Sequence, residues 1–233
     1  MTWYETAFKA DYLDVYAHRD REVLRSEAAF AARVLGLRPG ARVLDVACGD
    51  GSHVRALEEE GLSAVGLDLS RDLLARGEGA RRVRGDMRAL PFLGLFEGVT
   101  SFFTSFGYFD DAGNRRVLES IARVLLPGGR LFLDYLNSTH LAVSLEPEGE
   151  VVRGEHKLQF HRRLRDGRVE KDVTIDGPDG RRSYTESVRV YNHSELLMLL
   201  GEFRLAPIHL YGDFSGRDFT TDSPRCIVLA FKE

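Results

Sequence analysis

Residues 43–53 read Val43-Leu44-Asp45-Val46-Ala47-Cys48-Gly49-Asp50-Gly51-Ser52-His53. An apolar, β-branched run over Arg42–Ala47 predicts a strand. It passes into a loop with two glycines, and Ser52 opens a helical pattern that Gly61 stops. A strand feeding a helix through glycines is the first unit of an α/β fold. Glycines let backbone approach a ligand closely, and a helix N-terminus offers free N–H groups. The dinucleotide fingerprint GxGxxG needs a third glycine at position 54. Val54 stands there, which sets a nicotinamide or flavin dinucleotide aside.

Outward from this stretch, short strands alternate with helices. Ser63–Asp68 reads as the second strand, with Ser70 placed to cap the next helix. Arg81–Arg84 is a short third strand and Gly98–Phe103 an apolar fourth, buried on both faces. A helix over Asp111–Leu125, ended by Pro127-Gly128-Gly129, leads to a fifth strand at Arg130–Tyr135. Residues 5–35 are helical in two pieces, with Leu24, Ala28, Ala31 and Leu35 at helical spacing. Near the end come a helix at Ser194–Phe203 and strands at Leu205–Tyr211 and Cys226–Phe231.

Between these parts the period changes. Leu158, Phe160 and Leu164 alternate, as do Val169, Val173 and Ile175, then Tyr184, Val188 and Val190. Asp166-Gly167 and Gly177-Pro178-Asp179-Gly180 are turn signals between them. The reading is one α/β domain over 1–233. It has a helical lid at 1–35 and a three-stranded antiparallel insertion at 151–191, which covers an acceptor site and offers a homodimer contact.

The form Asp45-x-x-x-Gly49-x-Gly51 resembles motif I of the class I S-adenosylmethionine-dependent methyltransferases. Other motifs follow in order: Val65-Gly66-Leu67-Asp68-Leu69-Ser70, Gly85-Asp86-Met87 and Pro127-Gly128-Gly129. The wording of Asp45–Gly51, Ser101–Phe109 and Leu126–Tyr135 is similar to bacterial small-molecule methyltransferases, including sugar N-methyltransferase relatives. The resemblance covers residues 35–135 and the flanks more loosely. It implies a doubly wound, seven-stranded, mostly parallel sheet of order 3-2-1-4-5-7-6. It also implies S-adenosylmethionine as cofactor, with S-adenosylhomocysteine as product.

By the same resemblance Asp68 accepts both ribose hydroxyls and Asp86 accepts the adenine amino group, with Met87 along the ring. Asp45 supports the loop and the methionine amino group. Ala47, Cys48, Gly49, Gly51 and Leu69 complete the cofactor set. Taken singly, Asp68 and Asp86 also fit turn or capping roles and Asp45 a loop brace. Cys48 has no specified base or activating cation, so it reads as loop filler. His53, one turn into its helix, is either structural or a wall of the site.

Ligands of doubly wound sheets bind outside the strand C-termini. That makes Phe106, Tyr108, Tyr135 and Asn137 the candidates for the acceptor pocket, with Phe102 and Phe103 assigned to core. Tyr12 and Tyr16 share a helix face at i,i+4 and are candidates to lie near the cofactor. His140, His156, His161 and His193 have no metal spacing, so no metal is expected. No catalytic residue is assigned, because alignment alone supplies much of the effect when the methyl is already activated.

Composition narrows the partners. The 233 residues are 43% hydrophobic and carry a net charge of −4, which weighs against a general nucleic-acid binder. A small-molecule acceptor is expected, with an amine among the candidates. The alternatives are an RNA or protein methyltransferase and a non-catalytic cofactor-binding protein. The insertion is locally basic. Its Arg162-Arg163 and Arg181-Arg182 pairs could meet an RNA phosphate, an anionic metabolite or solvent. Two cysteines far apart suit a reducing cytoplasm. No signal-like stretch and no apolar run near the roughly 18 residues of a membrane span is found. Only Lys9, Lys157, Lys171 and Lys232 are lysines, and Asn and Gln are scarce. Growth at high temperature and a GC-rich genome both account for this. A melting midpoint above the roughly 45–65 °C of mesophile domains supports the first, and one inside that range supports the second.

Overall fold

The computed structural model describes residues 2–9, 12–13, 20–178 and 180–233. Strands β1 (Arg42–Val46), β2 (Ser63–Asp68), β3 (Arg82–Arg84), β4 (Phe96–Ser101) and β5 (Leu125–Leu136) run parallel. Strands β10 (Leu205–Tyr211) and β11 (Arg225–Lys232) close one edge antiparallel. The order β10-β11-β5-β4-β1-β2-β3 is the expected 3-2-1-4-5-7-6 when only the strands of this sheet are counted.

Period-two alternation sorts the strand residues between two cores. On one face Leu44, Val46, Leu131 and Leu133 meet Leu118 and Ile121 of α5 (Asp111–Val124) and Leu196 and Leu200 of α7 (His193–Gly201). On the other Val43, Ala64, Phe132 and Ile227 meet Ala28, Ala31 and Leu35 of α2 (Arg21–Leu35) and Val54 and Leu57 of α3 (Ser52–Glu59). Local signals set the helix ends. Asp20 caps α2, Ser70 caps α4 (Arg71–Arg76) and Asp110 caps α5. Gly36, at φ +55°, ends α2.

Strand β5 begins earlier than expected. Pro127-Gly128-Gly129 lies inside it, and the pairing with β4 shifts register between Phe96 and Gly98. The helix already ends at Val124, and Gly128 at φ +75° lets the chain bulge without breaking the strand.

The insertion has four strands rather than three: β6 (Glu148–Arg153), β7 (His156–Arg165), β8 (Arg168–Gly177) and β9 (Gly180–Arg189), all antiparallel. The extra strand, Glu-Gly-Glu-Val-Val-Arg, is a largely exposed edge with no apolar alternation to announce it. The inward face of the sheet buries Leu158, Val173, Ile175 and Tyr184 against Ala7 of α1 (Trp3–Ala7). Arg182 fastens the pair by donating to the Thr6 and Ala7 carbonyls, at 3.1 and 3.3 Å.

Loop and sheet approach each other closely where β2 passes the glycine loop. A Cβ at Gly66 would sit 2.4 Å from Cys48 Sγ and 2.9 Å from Val54 Cγ2. Gly66→Ala is therefore expected to destabilise the protein by about 1–3 kcal/mol through overpacking. A chemical denaturation midpoint unchanged by the substitution would show that the loop moves aside freely.

Candidate functional site

Strand order reverses direction about β1 and β4, so the loops leaving these strands part and open a crevice at their C-terminal ends. A cavity of about 620 Å³ lies there, within the roughly 300–1,000 Å³ of small-molecule sites. The loop after β1 contributes Ala47, Cys48, Gly49 and Asp50. The end of β2 contributes Asp68, Leu69 and Ser70. The turn after β3 contributes Gly85, Asp86 and Met87, and the loop after β4 contributes Phe102, Phe103, Ser105, Tyr108 and Phe109. Tyr4, Phe8 and Tyr12 come from the N-terminal segment and Arg162 from β7.

The polar side of this cavity is acidic. Asp45, buried at the end of β1, accepts a 2.8 Å hydrogen bond from the Thr100 hydroxyl. Burial pushes its carboxyl up to about 6, opposed by His53 and by the Thr100 bond. Asp68 accepts from the Gly49 N–H at 2.8 Å and the Ser70 N–H at 2.7 Å. Burial raises its carboxyl as well, with the backbone donors pulling the other way. Asp86 caps the short 3₁₀ turn Met87–Ala89 and holds the Arg88 guanidinium at 2.6–3.1 Å. Burial pushes its carboxyl up, but the Arg88 bonds more than offset that and hold it below the usual range. Arg88 also covers the Phe109 ring at 4.3 Å.

Backbone strain gathers at the same place. Ala47 at φ +60°, Phe103 at φ +68° and Thr104 at φ +56° are left-handed without being glycine, at a cost of roughly 1–2 kcal/mol each. The second pair is over-determined by buried Asp134, which accepts from the Phe103 N–H and from Arg225, while Arg225 also donates to the Thr104 hydroxyl. This turns Phe103 out, 44% exposed on the cavity wall, while Phe102 stacks on the His53 ring at 4.0 Å. His53 in turn meets buried Glu27 of α2 at 2.9 Å.

Of the residues singled out from sequence, the fold brings Asp45, Ala47, Cys48, Gly49, Asp68, Leu69, Asp86, Met87, Tyr12 and Tyr108 to one cavity. Gly51 is not on its wall. It caps α3 at φ +80°, where a Cβ would meet Arg82 at 2.8 Å. Tyr16 lies outside the described residues. Three acceptor candidates need correction. Phe106 is 1% exposed and packs between Tyr135 and Tyr191. Tyr135 is fully buried in β5, its hydroxyl donating to the Arg189 carbonyl. Asn137 caps α6 (Ser138–Ser144) and donates to the Thr221 and Ser223 carbonyls at 2.9 and 2.8 Å. For Phe106 the reason is the left-handed turn at Phe103 and Thr104, which faces Phe103 outward instead. Tyr135 and Asn137 are turned inward by their bonds to the Arg189, Thr221 and Ser223 carbonyls. Burial pushes the Cys48 thiol far up, as befits a packed, unreactive residue. Phe8 and Arg162 were missed, for they reach the cavity from elements far away in sequence. Ser105, in the loop after β4, was also missed, carrying no signal that set it apart from its neighbours. No group of side chains able to hold a metal is found among the described residues.

Residues 43–129 match the family described as a methyltransferase domain. Demethylmenaquinone methyltransferase of Beutenbergia cavernae is 40% identical over 102 residues, covering 42% of this chain and 41% of its own. The dTDP-3-amino-3,6-dideoxy-alpha-D-glucopyranose N,N-dimethyltransferase of Streptomyces fradiae is 37% identical over 123 residues, 49% of this chain and 48% of its own. The chain thus spans less than half the length of these curated relatives. An S-adenosylmethionine-dependent methyltransferase from Clostridium acetobutylicum superposes over 95% of both chains with a TM-score of 0.80 at 18% identity. Residues 43–129 thus match a methyltransferase domain, and the chain shares the fold of the Clostridium acetobutylicum protein over nearly its whole length.

The raised Asp45 carboxyl has a thermodynamic consequence. An acid whose folded pKa lies above its unfolded value stabilises the fold below the unfolded pKa, and that contribution is lost as pH rises through the folded one. From its ordinary 3.8 to about 6, the loss is roughly 3 kcal/mol at most. Asp45→Asn is therefore expected to stabilise the ligand-free protein at pH 7 relative to wild type, with the difference vanishing near pH 4. Denaturation curves at the two pH values check it.

Proposed function

We propose that this chain transfers a methyl group from S-adenosylmethionine to a small-molecule acceptor, with an amine nitrogen as the favoured nucleophile. The observation that carries the reading is the set of four carboxylates, Asp45, Asp50, Asp68 and Asp86, around one cavity beside the glycine loop. This acceptor-rich set fits a cofactor that brings an ammonium, a sulfonium, two ribose hydroxyls and an amino-substituted adenine. Two of the carboxylates, Asp45 and Asp68, are raised by burial, and a bound cation would relieve both. The glycine loop suits it too, since Gly49 at φ +58° leaves backbone free to approach.

In this reading Asp68 receives the ribose hydroxyls, Asp86 the adenine amino group and Asp45 the methionine amino group, with Met87 along the ring. The cofactor supplies a methyl group already activated on sulfonium. The chain's own task is then alignment and exclusion of water. Trp3 and Phe8 cover Tyr108 with ring centroids 4.8 and 5.8 Å away, and Ser70 Oγ donates to the Phe8 carbonyl at 2.7 Å. This supports the first part of the 1–35 segment, around Trp3 and Phe8, as a lid, while α2 belongs to the core. The bonds from Arg182 to the Thr6 and Ala7 carbonyls support the 151–191 insertion as a roof over it. Burial, with Glu186 and Asp68 nearby, pushes the Tyr108 phenol up, so it stays protonated and acts as a hydrogen-bond donor to the acceptor. An amine that arrives neutral needs no base.

The Streptomyces fradiae relative is named as an N,N-dimethyltransferase, which is the ground for favouring nitrogen. No described helix is long and apolar enough to cross a membrane, and we place the enzyme in the cytoplasm. A homodimer through the insertion would have to use its outer, charged face, since the inward face packs on α1 of the same chain; sedimentation measures it.

Asp68→Ala is expected to weaken S-adenosylmethionine and S-adenosylhomocysteine by about 10–150-fold, the worth of roughly 1.5–3 kcal/mol of charged hydrogen bonding. Isothermal titration decides it. Equal affinity in the variant removes Asp68 from the site, and absence of binding in the wild type removes the function.

A further inference from the structure

The two arginine pairs of the insertion part company in the structure. Arg163 is engaged by Glu170 at 2.7 Å and by Asp172. Arg181 lies 3.6 Å from Asp176, and Arg182 binds the Thr6 and Ala7 carbonyls. Arg162 differs. Its guanidinium lies 4.3 Å over the Phe160 ring and makes no hydrogen bond or ion pair with the described residues. It also lines the cavity, where it is the one Lys or Arg among the described lining residues.

Strand register explains its position. Arg162 faces Lys171 on β8, and Lys171 faces Glu186 on β9. The three form a charged rung on the sheet face that also carries Leu158, Phe160, Val173, Ile175 and Tyr184, with Arg182 two rungs further along it. Lys171 lies 3.9 Å from Glu186; burial lowers its ammonium, Glu186 pulls it back up, and Arg162 adds a smaller depression. With Lys171 and Glu186 set against each other, the rung keeps a net positive charge at Arg162. Phe160, under that guanidinium, belongs to the cluster holding Trp3 and Phe8, the rings that cover Tyr108. The cation thus stands in the roof on the Tyr108 side, while the carboxylates belong to the loops after β1, β2 and β3.

We propose that Arg162 is the anion-recognising residue of the acceptor site, so that the acceptor carries a phosphate or carboxylate group beside its nucleophile. A guanidinium held against an aromatic face presents its fork to a planar or tetrahedral oxyanion with little entropy left to lose. The inference rests on the methyltransferase reading for the word acceptor, but the anion site can be measured by itself.

The whole protein is first titrated with S-adenosylhomocysteine. Failure to bind removes the methyltransferase reading and leaves the anion measurement standing. Inorganic pyrophosphate and succinate are then titrated separately at constant ionic strength, both without S-adenosylhomocysteine and with it saturating. Binding of pyrophosphate alone assigns a phosphate, and binding of succinate alone a carboxylate. In Arg162→Gln the bound anion is expected to weaken by about tenfold or more, with S-adenosylhomocysteine unchanged. Arg163→Gln and Arg181→Gln, which lose paired arginines, should match wild type. Three results overturn the proposal: neither anion binding the wild type, equal affinity in Arg162→Gln, or a loss of S-adenosylhomocysteine affinity in that variant. The last would assign Arg162 to the cofactor's own carboxylate.

Discussion

The site depends on one buried carboxylate. Asp68 ends β2 and is taken out of water with a charge that must be satisfied, or the cost runs to several kcal/mol. It is met by two backbone donors from different loops, Gly49 and Ser70. Those bonds hold the glycine loop against the turn that opens α4, so the first and second strand ends keep a common edge. The donors occupy only part of what two carboxylate oxygens can accept, and the rest faces the cavity. The same residue therefore stabilises the loop and remains open to a ligand.

A second constraint holds the other side. The loop after β4 runs through two left-handed residues, and such backbone persists only where its surroundings dictate it. Asp134, Arg225 and the strand pair that carries them do so from behind. From above, Arg168 of β8 donates to the Gly107, Tyr108 and Phe109 carbonyls at 3.0–3.2 Å. A small antiparallel sheet is marginal alone. Here it is held to the domain by Arg168, Arg182 and the apolar cluster around Ala7. Roof and wall are thus one mechanical unit, and a change in the insertion reaches the loop through Arg168.

The two ends of the cavity have opposite electrostatic character. Acidic groups collect where parallel strands end, since short aspartates can cap turns there and accept from free N–H groups. The positive end is supplied by Arg162 of β7, far later in sequence than any of these aspartates. Aromatic rings lie between them, so a ligand bridging both ends would be held by charge at its extremities and by stacking and desolvation in the middle.

Much of the fold was legible from local pattern. Strand–glycine–helix punctuation at 43–53, the acids that close β1 and β2, and the change from helical to two-residue period near 150 each have short-range physical causes. Three of the four carboxylates of the acidic half, Asp45, Asp68 and Asp86, were legible for the same reason, since they lie at or just beyond strand ends; Asp50, in the glycine loop, was not singled out. The acceptor half was not. Whether Phe103 or Phe106 faces outward is decided by a left-handed turn that exists because Asp134 and Arg225, far along the chain, stabilise it. Strand β6 has no apolar face of its own, and only pairing with β7 makes it a strand. Arg162 and Arg163 are neighbours in sequence, but alternation sends one into the roof and leaves the other among carboxylates. Which of them meets the cavity is a property of sheet register and docking, and only the tertiary structure decides it.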